Sequence, residues 1–353
     1  MSVASNFVGW DIGGAHLKMV KVDGQGNVLQ AKQYATPIWQ GLEILKSLFE
    51  QNKNLHTSDN EVHALTITGE LSDIFDNRKD GVEALLSVFA SVYQNTESMV
   101  YCGESGFLAI AESIEKHNQA ASANWHATAS YLALQNEKFV LIDIGSTTTD
   151  LILVDRGRVI NKAYTDQERM REASLVYTGF TRTPVMAVVN KVQFEGVWQS
   201  IAAEFFATMA DVYRITGELH ENQDLMPAAD GGKKTREASI RRLARMLGAD
   251  ALEYEDQDRY LPLAHYIAAQ QLKTIEENLD QMLRHCHYSL AKRPDIVGAG
   301  TGRHLARKLA EARNYAYIDI ESLISGNESL FAKTGDCAAA LAVAQLARVK
   351  LKL

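Results

Sequence analysis

Cysteine is scarce in this sequence: Cys102, Cys286 and Cys337 are the three among 353 residues. That excludes a disulfide framework and a cysteine-built zinc cage. His285-Cys286-His287 has the composition of a metal cluster. Adjacent helical residues point about 100° apart, however, and cannot converge on one ion. No apolar run reaches the ~20 residues that span a bilayer. The N-terminus also lacks a charged segment followed by an apolar one. A cytoplasmic location with no membrane partner is the expectation. Positive charge is in deficit, with 36 Lys and Arg against 44 Asp and Glu and a net charge of −8. A nucleic-acid surface, which needs a clustered basic face, is not expected. Low-complexity segments and long linkers are missing as well. What remains is a chain that is 46% hydrophobic, long enough for two ordinary cores.

The chain is organised around Val140–Asp150, VLIDIGSTTTD. An apolar run ends at Asp143, turns through Ile144 and Gly145, crosses the hydroxyl cluster Ser146, Thr147, Thr148 and Thr149, and re-enters an apolar run after Asp150. This reads as strand, tight turn, strand. Gly145 lets backbone approach a ligand, and successive N–H groups in such a turn form an anion-binding concavity. The hydroxyls add donors for phosphate oxygens, and a carboxylate at the strand tip is a hard ligand suited to Mg²⁺. A Gly/Thr-rich hairpin with solvated carboxylates is the plainer reading.

A second copy argues against the plainer reading. Val8–Asp23, VGWDIGGAHLKMVKVD, aligns without a gap on Val140–Asp155, VLIDIGSTTTDLILVD. Asp11 falls on Asp143, Gly13 on Gly145 and Asp23 on Asp155. Internal similarity of this kind decides architecture. It predicts an α/β lobe over residues 1–136 and a second α/β lobe over 137–353, with a mostly helical insertion at about 195–262. Two phosphate turns facing across a cleft between the lobes would hold a polyphosphate from both sides. Periodicity predicts helices over Ile38–Phe49, Val82–Tyr93, Ser122–Leu134, Ala202–Thr216, Lys233–Leu247 and Leu263–Ala291. It predicts strands over His63–Thr68, Met99–Cys102, Val185–Val189 and Asp295–Val297. A glycine-rich turn with Gly298, Gly300, Thr301 and Gly302 follows the last of these and opens a helix, where N–H groups favour an anionic ligand.

In this order of elements the chain resembles the actin/Hsp70/sugar-kinase superfamily, a duplicated ribonuclease H-like fold. Within it, the chain resembles hydantoinase/oxoprolinase-like proteins of tetrahydromethanopterin- and methanofuran-linked C1 metabolism. The resemblance covers nearly the whole chain. It rests on VGWDIGGAHLK (8–18), TGELSD (68–73), NWHATA (124–129), DIGSTTTD (143–150), YTGFTRTP (177–184), FATMADVYRITGEL (206–219), DGGKKTREASIRRLARML (230–247) and GAGTGRHLA (298–306). It implies a transferase that joins an aminomethyl-furan-methyl diphosphate to the phenol oxygen of a γ-glutamyl-tyramine or tyrosine-type acceptor. Diphosphate is released, in methanofuran-type cofactor synthesis. An ATP-dependent small-molecule kinase or cyclic-amide hydrolase is the rival, and a nucleotide-dependent interaction protein is the third class.

A diphosphate-leaving reaction builds negative charge on the departing oxygens, which cations and N–H donors stabilise. Mg²⁺ at Asp11 and Asp143 suits that task, with Gly13, Gly14, Gly145, Ser146, Thr147 and Thr148 around the phosphates and Lys18 reaching a terminal phosphate. ATP or ADP stays open as a further ligand. Glu70, His16 and His126 are candidates for the phenol's base, each with a structural role as its alternative. Arg182 suits an aromatic or carboxylate-bearing substrate. Asp230 is expected to cap the basic helix so that Lys233 and Lys234 meet the diphosphate, against the alternative of a solvated face. Small-molecule substrates are the expected partners, with a homo-oligomer left open.

Overall fold

The structure is a computed structural model that describes residues 6–53, 61–220, 223–251, 257–289 and 293–352. The chain divides into two compact units. Unit 1 comprises Met1–Leu141, Ile152–Arg171 and Ile318–Leu353, and unit 2 comprises Ile142–Leu151 and Glu172–Tyr317. The final helix, Ala338–Lys352, therefore packs in unit 1, against the first strand and the helix Asn124–Ala133. A residue larger than glycine at position 9 would put its Cβ 1.9 Å from the Ala340 carbonyl oxygen.

Fourteen strands are described: β1 Asn6–Gly13, β2 His16–Asp23, β3 Val28–Ala35, β4 Glu61–Thr68, β5 Glu97–Tyr101, β6 Phe107–Leu108, β7 Phe139–Ile144, β8 Thr149–Asp155, β9 Arg158–Val159, β10 Leu175–Val176, β11 Lys191–Phe194, β12 Val197–Ser200, β13 Ile296–Ala299 and β14 Tyr317–Asp319. The first sheet runs β3-β2-β1-β4-β5-β6 and the second runs β10-β8-β7-β13-β14, with β9 on β8. Each sheet sets the copy's first strand between its second and a later one: β1 between β2 and β4, and β7 between β8 and β13. Each begins with a strand–turn–strand unit, so the repeat seen in sequence is a repeat of topology. This is the α/β actin/Hsp70/sugar-kinase arrangement that the two glycine turns led us to expect.

In the first sheet β1 pairs antiparallel with β2 and parallel with β4. The antiparallel register sets Asp11 opposite Lys18 and Ile12 opposite Leu17. Near-continuous burial of Phe7, Val8, Trp10 and Ile12 marks β1 as a central strand covered on both faces. Trp10, Phe49, Phe89 and Tyr93 pack edge-to-face and stacked beneath it, and His63 accepts the Trp10 indole N–H at 2.9 Å.

Three local expectations are corrected. Val185–Val188 is a short helix after Pro184 rather than a strand, since a proline with φ −61° pre-sets the entry to a helix. The stretch after 190 opens with the β11–β12 hairpin, so the insertion is not helical at its start. Its helices are Met209–Thr216 and Arg236–Met246, and residues 221–222 and 252–256 lie outside the described residues. The long helix expected to reach Ala291 runs Tyr260–His285; Ala291 lies outside the described residues.

Candidate functional site

Unit 1 builds its part from the β1–β2 turn and the end of β4. Asp11 is buried, accepts from the Thr68 hydroxyl at 3.2 Å, and has the Lys18 ammonium 3.7 Å away. The sheet register places all three groups, because Asp11 faces Lys18 on β2 and Gly13, two residues on, faces Thr68 at the end of β4. The turn residues Gly13 and Gly14 lie against Thr68, Gly69 and Ser72: a Cβ on Gly14 would meet the Ser72 hydroxyl at 3.0 Å. The Gly14 carbonyl accepts from Ile38 N–H at 3.1 Å and Ala15's from Thr36 N–H at 2.8 Å. His16 is buried at the start of β2, opposite Ala35.

Glu70 follows Gly69 directly. It is 1% exposed, and its Oε1 accepts from the Ser122 hydroxyl at 2.7 Å while Oε2 has no hydrogen-bond partner among protein groups. Burial raises its pKa to about 7, against the weaker opposing effect of the Ser122 hydrogen bond. A buried carboxyl of this kind is half ionised at neutral pH and can take a proton there. Its backbone is fixed from behind by the helix Arg78–Val92: a Cβ on Gly81 would sit 2.1 Å from the Glu70 carbonyl oxygen.

His126 belongs to a different kind of environment. Its Nδ1 lies 2.8 Å from the Tyr101 hydroxyl and 3.2 Å from the Ser130 hydroxyl, and its ring packs against Trp125 and Tyr164. Burial lowers its pKa to about 4, so the ring is neutral at physiological pH. The Arg169 guanidinium covers the neighbouring Trp125 ring at 4.4 Å and is itself buried.

Unit 2 builds the other turn. Gly145 N–H donates to the Thr148 carbonyl at 2.9 Å, closing the turn expected from sequence. The Tyr177–Pro184 loop lies over it. Phe180 N–H donates to the Gly145 carbonyl at 2.8 Å, and Arg182 N–H donates to that of Ser146 at 2.9 Å. The Arg182 side chain donates to the Thr147 hydroxyl at 3.1 Å. Gly179 allows the approach, since a Cβ there would stand 2.5 Å from the Thr147 nitrogen. Gln271, from the long helix, donates to the Thr178 hydroxyl and the Gly179 carbonyl at 2.7 and 2.8 Å and holds the loop down.

The glycine-rich turn joins the same cluster. Gly302 N–H donates to the Ile144 carbonyl at 2.8 Å. Gly300, at φ +79°, could not carry a Cβ, which would fall 2.4 Å from the Asp143 carboxylate. Thr301 is buried with its hydroxyl unpartnered, and its carbonyl accepts from Gln223 at 3.2 Å. Gly298 is packed under the Tyr317 ring instead, where a Cβ would come within 2.3 Å of the phenol oxygen. Asp143, Gly145, Ser146, Thr147, Thr148, Arg182, Gly300 and Gly302 are thus neighbours.

Asp230, Lys233 and Lys234 are placed differently from expectation. The basic helix starts at Arg236 and is capped by the Thr235 side chain, not by Asp230. Asp230 instead accepts from the buried Arg242 at 3.1 Å, and Arg242 is also held by Asp211 at 2.7 Å. Lys234 donates to the Asp224 carbonyl at 2.7 Å. Sequence reasoning passed over Ser122, Gly179, Gln271 and the Asp211–Arg242 pair. Gly179 had a signal, as a glycine beside hydroxyls in YTGFTRTP; the others act only through distant partners. Among the described residues, no group of three or more His, Cys, Asp or Glu is arranged to hold a metal by itself.

Paired sheets of this order, each with a glycine turn beside an aspartate, define an actin-like α/β fold. A solved structure, acetone carboxylase in its nucleotide-free form, shares the fold with a TM-score of 0.56 at 12% identity, covering 95% of this chain and 70% of that one. The hydantoinase/oxoprolinase family model matches residues 61–345, and the chain belongs to that family. A relative from Methanocaldococcus jannaschii, (4-{4-[2-(gamma-L-glutamylamino)ethyl]phenoxymethyl}furan-2-yl)methanamine synthase, is 30% identical over 312 residues, 88% of this chain and 90% of the relative. A protein of the same name from Methanococcus vannielii is 33% identical over 112 residues, 31% of this chain and 50% of its own. No described helix is long and apolar enough to cross a membrane.

Proposed function

We propose that this chain is an ether-forming transferase of methanofuran-type cofactor synthesis. The product named for the M. jannaschii relative contains a phenoxymethyl-furan: an aryl oxygen bonded to a furan-borne CH₂. The reaction that builds it breaks the C–O bond between a furan-methyl carbon and diphosphate, which leaves with the bonding pair. The phenol oxygen of a γ-glutamyl-tyramine or tyrosine-type acceptor bonds to that carbon and gives up its proton. The furan ring delocalises positive charge at the carbon, so the protein's work is positioning, charge stabilisation and exclusion of water.

The observation that carries this reading is Glu70, a buried carboxyl beside the first glycine turn with one oxygen unpartnered and a pKa of about 7. A phenol attacking carbon must lose its proton, and Glu70 takes it; the product named for the relative selects the phenol over a kinase's hydroxyl or a hydrolase's water, which also need a base. Taken separately, Lys18 with the Gly13–Gly14 turn in unit 1, and Ser146, Thr147 and Arg182 in unit 2, are donor sets suited to phosphate oxygens. The acid-and-hydroxyl surroundings of Asp11 fit Mg²⁺, which keeps several waters and needs only one or two carboxylates plus phosphate oxygens. Asp11 would hold it, and it would neutralise charge growing on the leaving group.

The test is incubation of the purified protein with the furan-methyl diphosphate, Mg²⁺ and phenols of the tyramine and tyrosine types, with a parallel ATP arm and mass detection. Ether and diphosphate should appear in equal amounts. ATP consumption without ether would replace this reading with the kinase or cyclic-amide hydrolase one.

A further inference from the structure

Ser122 stands out on three independent counts. Its backbone is left-handed, at φ +50°, in a residue type that rarely adopts this conformation. Ala121, its neighbour, forms a parallel bridge with Ile67 of β4, so the segment is tied to the strand that delivers Glu70. Its hydroxyl donates to Glu70 Oε1 at 2.7 Å. Strained backbone of this kind persists where surrounding structure imposes it, and it gathers at functional sites.

A carboxylate acting as base needs one oxygen presented to the acceptor and a fixed plane. The bond to Oε1 fixes the plane and leaves Oε2, the atom without a partner in the protein. Other charged groups facing Glu70 are Asp166, from the helix Asp166–Arg171, and Arg78, from the helix Arg78–Val92. Their influence on the carboxyl is coulombic, whereas Ser122 supplies a side-chain hydrogen bond. We infer that Ser122 is a positioning residue for the proton transfer: it holds Glu70 so that Oε2 meets the acceptor's hydroxyl proton. The inference rests on Glu70 being the base in the reading above.

Substitutions that separate the hydroxyl from the backbone test this. Ser122→Gly removes the hydroxyl and accepts φ +50° without strain, so its melting temperature should match or exceed the parent's. Ser122→Thr keeps the hydroxyl but crowds a left-handed backbone, so its melting temperature should fall. In the ether assay, Ser122→Gly and Ser122→Ala should lose ~10-fold in kcat, the scale of a hydrogen bond to a charged group. KM for the diphosphate should be unchanged. Both should move the acidic limb of the pH profile upward, because the lost bond favoured the ionised form. Ser122→Thr should keep the parental limb despite its lower stability. A Gly variant with the parental kcat and limb overturns the inference. Glu70's own titration, followed by NMR of ¹³C-labelled glutamate, separates the two levels. A midpoint that rises in Ser122→Ala while no variant makes ether keeps the positioning role and removes the ether reading. Ether formation with an unmoved midpoint does the opposite.

Discussion

The two strand–turn–strand copies share a backbone plan and diverge in what surrounds the turn. In the first, Asp11 has a lysine built opposite it, and the turn is backed by the Thr68–Ser72 segment that leads into Glu70. In the second, the position matching Lys18 is Asp150, buried and opposite Leu175 on β10. There the turn is covered by Tyr177–Pro184 and Gly298–Gly302, which contribute hydroxyls, N–H groups and one arginine. Duplication supplied two glycine turns. On the proposed reading, divergence around them gave the first copy proton chemistry and made the second a phosphate cradle.

The largest expected effect falls on the first copy's carboxyl. Glu70→Gln should lower kcat by ~100- to 10,000-fold, the range for losing a general base. The same variant should be more stable than the parent above pH 7. Glu70's folded pKa, about 7, lies above its ordinary 4.5. The parent's stability is therefore fully present below pH 4.5 and declines as pH rises toward 7, where the buried group must ionise. Glutamine escapes that loss, and melting curves at pH 4.5 and pH 8 check it. If activity survives in Glu70→Gln, proton chemistry does not belong to the first copy.

Next come the paired aspartates. Asp11→Asn and Asp143→Asn should each lose ~100-fold or more in activity and require more Mg²⁺ for what remains. Magnesium titrations of both variants sharpen the comparison. A steep loss in one and a mild loss in the other would mean that only one copy keeps its ancestral task.

A smaller effect probes how tightly the second cradle is covered. Gly179→Ala must displace backbone at Thr147, an overpacking worth ~1–3 kcal/mol, or about 2–10 °C in melting temperature. Gly14→Ala, which meets only the Ser72 hydroxyl closely, should cost less stability. The smallest effect belongs to Lys233→Ala with Lys234→Ala: with Lys234 held by Asp224, diphosphate affinity should change less than ~3-fold, the scale of exposed ion pairs. A larger change, read by calorimetry, would return those lysines to the cradle.

Much of this was legible in the chain itself. The gap-free match of Asp11 with Asp143 and Gly13 with Gly145 predicted the duplicated strand–turn–strand unit, because strand alternation and a glycine leave local marks. Glu70 was also within reach, as a carboxylate just after a strand end. The β11–β12 hairpin was missed although it had a signal. Glu195 and Gly196, both with positive φ, form the two-residue turn between KVQF and VWQS, but a glutamate is an unusual residue there. Val185–Val188 misled because β-branched residues read as strand until Pro184 decides the matter. Ser122's bond to Glu70 and Asp211's to Arg242 span 52 and 31 residues. No periodicity encodes such pairs; only the folded chain brings them together.

The Trp125 ring, capped by Arg169 and bordered by His126 and Tyr164, gives the protein an intrinsic optical gauge. It lies three residues beyond Ser122, at the start of the helix Asn124–Ala133. An indole pressed against a guanidinium emits according to how closely the cation sits, so any rearrangement of the Ser122 segment changes its brightness or colour. The chain's other tryptophans are Trp10, deep in the first core, Trp198, half exposed on the hairpin, and Trp39, in the short helix Ile38–Gln40; Trp39→Phe leaves the first two as a steady background. Fluorescence of the unlabelled protein, followed in a stopped-flow mixer as acceptor is added, therefore times events at the Glu70 wall directly.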